Sequence, residues 1–137
     1  MKGATSMSLH EIIPNKNSLI VSPLLIKLGI PLSLSGHRYL CSAVNIYSSL
    51  MQTNSRIKIT QDIYPAVAHQ YGTTSQCVER SIRHAVGICF TRGDLKLIDK
   101  MFGFTINEAK GKPTNGEFIA TISYCLTSEA ASAVVSM

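Results

Sequence analysis

No apolar run in this chain approaches the roughly eighteen residues that a membrane-spanning helix needs. The stretch Leu19-Ile20-Val21 is interrupted at once by Ser22-Pro23. Met1 to Leu9 carries Gly, Thr and Ser where the apolar centre of a secretory signal would sit, so neither export nor a membrane partner is expected. There is no CxxC pair: Cys41, Cys77, Cys89 and Cys125 are separated by 36, 12 and 36 residues. That spacing argues against zinc ribbons and thioredoxin-like chemistry, and free, mostly buried thiols in a reducing, cytoplasmic setting are expected. No phosphate-binding glycine loop and no HExxH pair occurs. His10, His37 and His69 fall in separate segments without ligand spacing, and read as surface or internally satisfied histidines. Cys77 and His84, seven apart on one helix, would stand about 10 Å apart along its axis, too far for a nucleophile and its base to touch. Neither an enzyme nor a metal or other cofactor is expected.

Charge is scarce as well. Charged residues make up 15% of the 137 positions and apolar residues 45%, which is too apolar for a disordered chain. A chain of this length is one domain's worth and buries about two thirds of its unfolded surface. Thirteen basic against eight acidic side chains leave +5 and a pI near 9.2. That suits a nucleic-acid partner without requiring one.

What is present is helical periodicity, with no clean period-two alternation and no internal repeat. Residues 1–18 are polar and unperiodic, and read as a leader or linker. The tail after Ser128 reads as frayed, leaving 19–127 as the folded unit. Leu19 to Leu28 ends at Gly29, a plausible stop. Leu40, Val44, Tyr47 and Met51 line one side of a helix between Gly36 and Gln52. Ile63, Val67 and Tyr71 repeat the pattern, with Pro65 forcing a late start or a kink. Thr73 and Gln76 have capping-box spacing ahead of a helix to Phe90, in which Val78, Ile82, Ala85, Val86 and Cys89 share one face. Gln76, Glu79, Arg80, Arg83 and Gly87 share the other. A short helix, Asp94 to Phe102, turns Leu95, Ile98 and Phe102 inward and stops at Gly103. A last helix follows Pro113, with Thr114 and Glu117 as its capping box and Phe118, Ile122, Cys125 and Leu126 on one side. The expected fold is all-α, six helices and no sheet.

Around Tyr71-Gly72-Thr73, Ala68, Gly72 and Val78 have helix-turn-helix spacing, within about residues 60–90. The position three after Val78 is Ser81 where an aliphatic residue is wanted, and Ile82 comes one residue late. A recognition helix offers its N-terminal half to base edges in the major groove. Arg80 suits guanine, Gln76 adenine and Glu79 a cytosine amino group. The competing reading is a solvated face in which Glu79 and Arg83 form an ordinary surface pair.

The run Tyr64-Pro65, Thr73-Thr74, Val78-Glu79-Arg80, Ile82-Arg83-His84-Ala85, Arg92-Gly93, Phe102-Gly103 and Lys112-Pro113-Thr114-Asn115 with Glu117-Phe118-Ile119-Ala120 resembles a known family. It is that of the DNA-binding effector domains of stage zero sporulation protein A, a response regulator. The similarity spans about Ile20 to Leu126. It implies a six-helix effector domain that binds double-stranded promoter DNA, often as tandem head-to-tail copies forming a homodimer on DNA, and that contacts RNA polymerase when activating. It implies base reading by Glu79 and Arg80. It places Arg83 and His84, and then Lys112, Thr114 and Asn115, at or near the phosphate backbone; Thr74, and Lys110 beside the last helix start, are expected as further backbone contacts. The N-terminus of the helix capped by Thr114 suits a phosphate on physical grounds also. Where the family usually has a base-reading arginine, this chain has Cys77, which cannot make the bidentate guanine contact; altered specificity is expected there. The family's effector domain normally follows a phosphorylatable receiver domain, for which residues 1–18 are too short. An excised domain and a stand-alone regulator both fit. The rival from another class is a protein-interaction module or decoy that antagonises a full-length regulator.

Overall fold

A computed structural model describes residues 18–53, 56–103 and 111–126. Among these residues there are six α-helices and no strand: α1 (Ser18–Lys27), α2 (Ser35–Met51), α3 (Tyr64–Tyr71), α4 (Ser75–Arg92), α5 (Leu95–Phe102) and α6 (Asn115–Leu126). One π-helical turn, Ile59–Ile63, leads into α3. The expected leader and tail lie almost wholly outside the described residues, as does Lys110. No described helix is long and apolar enough to cross a membrane.

Each helix forms for a local reason. Gly29, at φ 91°, closes α1 as anticipated. Pro65 sits in the first turn of α3, where its missing N–H costs nothing, so α3 starts late and the preceding turn is wound differently. Asp94 caps α5 by accepting from the amides of Lys96 and Leu97. The capping box of α6 is complete: Glu117 N–H donates to Thr114 Oγ1 at 3.1 Å, and Thr114 N–H donates to Glu117 Oε1 at 2.8 Å.

The core is assembled from Leu24 and Leu25 of α1 with Leu28 just after it, Leu40 and Val44 of α2, Ile63 and Val67, the inner face of α4, and Phe102 and Phe118. Phe102 and Phe118 stack at 5.0 Å and 8°, with Phe90 edge-on to both. His37 is a satisfied histidine, 2% exposed. Its Nδ1–H donates to the Ile30 carbonyl at 3.0 Å, which leaves Nε2 to accept from the Ser22 hydroxyl at 2.7 Å. That ring ties α1 to α2. Two further expectations are corrected. Leu95 is 78% exposed instead of inward, because Leu97, Ile98 and Met101 fill that face of α5. Tyr71 is 37% exposed, since the chain turns away immediately after it.

The positioning of the helix-turn-helix depends on one close approach. A Cβ on Gly36 would stand 2.3 Å from the Ser81 carbonyl oxygen and 2.8 Å from Ala85 Cβ. Only glycine lets α2 cross α4 there. The same crossing explains why Ser81 stands where an aliphatic residue was wanted. Ser81 faces α2, accepting from the Ser35 hydroxyl at 3.3 Å, while Ile82 is fully buried and serves as the anchor.

Candidate nucleic-acid interface

The turn between α3 and α4 is made by Gly72, at φ 64° in the left-handed region, with its N–H and that of Thr73 returning to carbonyls of α3. The helix then begins one residue later than the sequence suggested. Thr74, not Thr73, is the N-cap, and its hydroxyl oxygen accepts from Cys77 N–H at 3.0 Å. The expected Thr73–Gln76 box is therefore replaced by a simple cap, because the left-handed glycine delays the first helical residue to Ser75.

From this cap α4 presents two kinds of face. Val78, Ile82, Ala85, Val86 and Cys89 are buried, as the periodicity required. Gln76, Arg80, Arg83 and His84 are exposed on the opposite side. Glu79 is only partly exposed and is engaged: Arg83 Nη1 donates to its Oε2 at 2.9 Å. The surface pair foreseen as the plainer alternative is thus formed. It is worth only a few tenths of a kcal/mol at i, i+4 on a solvated surface, too little to hold either side chain against a better partner.

The start of α6 comes up beside α4 on the Glu79 flank. Asn115 Nδ2 donates to the Tyr64 hydroxyl at 3.0 Å and to the Glu79 carbonyl at 3.1 Å. Asn115 therefore also cross-links α3, α4 and α6, a positioning role the sequence did not indicate. Lys112 reaches over α4 at Gly87: its Nζ would lie 3.6 Å from a Cβ there. A Cβ there would make only ordinary contact with that ammonium, so an alanine would fit at this position. Arg83 and Lys112 together form a ridge between two hollows. One, of about 590 Å³, runs from Tyr64 to Thr114; the other, of about 700 Å³, is lined by Arg80, His84 and Phe90. The structure thus brings Arg80, Arg83, His84, Lys112, Thr114 and Asn115 to one side of the molecule. Gln76 and Thr74 stand at the tip of α4.

At that N-terminus of α6, the capping box already engages the amides of Thr114 and Glu117 and places a carboxylate there. Any anion would meet Lys112 first and the helix end second. Cys77 lies on the other flank of α4, half-buried, with the Thr73, Ser81 and Tyr39 hydroxyls around its sulfur. The Thr73 hydroxyl, with smaller help from the others and from Arg80, holds its thiol below the ordinary cysteine range. Burial does the opposite elsewhere, pushing Cys41 up to about 11 and Cys89 up to about 12. All four cysteines are free. Among the described residues no three metal-ligating side chains gather.

Compared with known families, residues 21–126 match the family model described as sporulation initiation factor Spo0A C terminal.

Proposed function

Because the chain belongs to the Spo0A C-terminal family of sporulation initiation factors, DNA-binding effector domains of transcription regulation, we propose that it reads double-stranded promoter DNA with α4 as its recognition helix. The observation that supports this most is the single exposed face on which the capped tip of α4 and the Arg83–Lys112 ridge stand together. In this reading Gln76, Glu79 and Arg80 meet base edges in the major groove. Thr74, Arg83, His84, Lys112, Thr114 and Asn115 meet phosphates, with Lys110 beyond the described residues on the same connection. Glu79 must leave Arg83 to reach a base, and the weak surface pair makes that exchange cheap. Arg83 is then released to a phosphate at the same moment. Residues 19–127 form the binding unit; tandem copies on DNA and contact with RNA polymerase belong to the same proposal and rest on the family alone.

Titration of a labelled duplex carrying a family-type box, against a scrambled duplex, tests it. Arg80→Ala should lose about 1–3 kcal/mol on the box and much less on the scrambled sequence, since a base contact is removed. Lys112→Ala should weaken both duplexes about equally, because phosphates carry no sequence information. Identical losses for the two variants on both duplexes would contradict the assigned roles. A folded protein that binds neither duplex would favour the decoy reading.

Cys77→Arg tests the altered position. The arginine must swing away from Tyr39 and Ser81 toward Arg80, which the partly exposed site allows. Discrimination between box and scrambled duplex should rise about ten- to hundredfold, the range of one bidentate guanine contact. A gain equal on both duplexes would mean that the new guanidinium finds only the backbone.

A further inference from the structure

A recognition helix lying in the major groove has a sugar–phosphate backbone on either side of it, because the groove is only about 12 Å wide. Successive residues of α4 are 100° apart around its axis. That rotation separates Glu79 from Cys77 and Ser81, and the contacts show what stands on each flank. Beside Glu79 are α6 and the connection before it, with Asn115, Thr114 and Lys112. Beside Cys77 and Ser81 is the start of α2. Ser35 bonds Ser81, and Gly36 lies hard against the Ser81 carbonyl. Among the described residues, every phosphate partner assigned so far outside α4 and its cap lies on the first flank.

The second flank carries a cation of its own. Arg38, exposed in the first turn of α2, has its guanidinium carbon 5.8 Å from the Tyr39 ring centroid and 5.9 Å from that of Tyr71. The two rings are 5.2 Å apart and tilted by 56°. Both distances fall within the reach of a cation–π contact. Tyr71 is the last residue of α3, immediately before the Gly72 turn, so this cluster stands at the groove-entering end of α4. Among the described residues the ion pair formed is Arg83–Glu79, and no carboxylate there neutralises Arg38. Two aromatic faces restrict the guanidinium's freedom without cancelling its charge. Such a cation is preorganised for an external anion, so less ordering entropy is lost when one binds.

We propose that Arg38, packed against the paired rings of Tyr39 and Tyr71, contacts the phosphate backbone on the Cys77 side of α4, opposite the backbone met by Lys112 and Thr114. The recognition helix is then clamped from both sides, by α2 on one and the start of α6 on the other. This rests on the DNA-binding reading above. Arg38 adds affinity and orientation but no sequence information.

Fluorescence anisotropy with single-box and scrambled duplexes, at 50 and 200 mM salt, decides it for wild type, Arg38→Ala and Arg38→Lys. Loss of one phosphate contact flattens the salt slope by about 0.9, so wild type should lose roughly 3.5-fold more affinity than Arg38→Ala across that range. The loss of affinity should be the same on both duplexes, and Arg38→Lys should keep the wild-type slope. Thermal melts check folding; should Arg38→Ala not fold, Arg38→Gln replaces it. An alanine variant with wild-type slope and affinity overturns the proposal. So does one that matches wild type on a single box but loses cooperativity on a double box, which would make Arg38 a contact between copies of the chain. If the wild-type protein itself binds neither duplex in a salt-dependent way, the DNA-binding reading fails first, and Arg38 with it.

Discussion

Phe118→Ala is expected to lower the free energy of unfolding by about 3–5 kcal/mol, the usual cost of truncating a buried phenylalanine. Phe118 is fully buried against Phe102, and the stacked pair with Phe90 across its edge is the main aromatic cluster linking α4, α5 and α6. Removing one ring leaves Phe102 without its stacking partner and opens a void that rigid helices fill only partly. Against a domain stability of about 5–15 kcal/mol this is a large fraction. The change is read from the urea midpoint at constant slope. Leu95→Ala is the companion measurement: at 78% exposure it should move stability by no more than about 0.5 kcal/mol. A wild-type midpoint for Phe118→Ala, or a large loss for Leu95→Ala, would contradict the assignment of the inner face of α5 and α6. Because Phe118 lies one helical turn from Thr114, the variant should also weaken duplex binding at temperatures where it is still mostly folded.

Duplex affinity should fall steeply with salt. Each phosphate neutralised by a cation releases counterions and contributes about −0.9 to the slope of log affinity against log salt. Arg38, Arg83 and Lys112 alone give a slope near −2.7, a loss of roughly fortyfold between 50 and 200 mM, and a Lys110 contact would steepen it by about 0.9 more. The formal charge of +5 is modest, so the effect depends on these cations standing on one face, not on net charge. A flat salt response would remove the backbone-dominated interface altogether. A slope in Lys112→Ala unchanged from wild type, instead of flattened by about 0.9, would move that phosphate contact elsewhere on the surface and leave the mode of binding intact.

The inner face of α4 was legible from periodicity alone. Apolar residues at positions 78, 82, 85, 86 and 89 can share only one side of a helix, and that side must be buried. The capping box of α6 was equally legible, since Thr114 and Glu117 satisfy each other's amides through local geometry that needs no tertiary partner. The cap of α4 was misplaced by one residue because two adjacent threonines have equal propensity. The left-handed Gly72 chose between them. Leu95 was misread for a similar reason: a short helix offers too few turns for period to outweigh what its neighbours leave uncovered.

What the sequence determined by itself was the set of helices and the family motif, because propensity, capping and the 3.6-residue repeat act over a few neighbouring residues. What only the tertiary structure decided was which side chains from distant segments stand together. The Ser81 irregularity made sense only once Gly36, 45 residues earlier in the chain, was seen crossing it. Asn115 bonding Tyr64 and Glu79, Lys112 lying over Gly87, and Arg38 packed on Tyr71 are contacts across elements. No local pattern encodes them, because helix–helix packing sets their distances, and packing is a property of surfaces brought together after the helices exist.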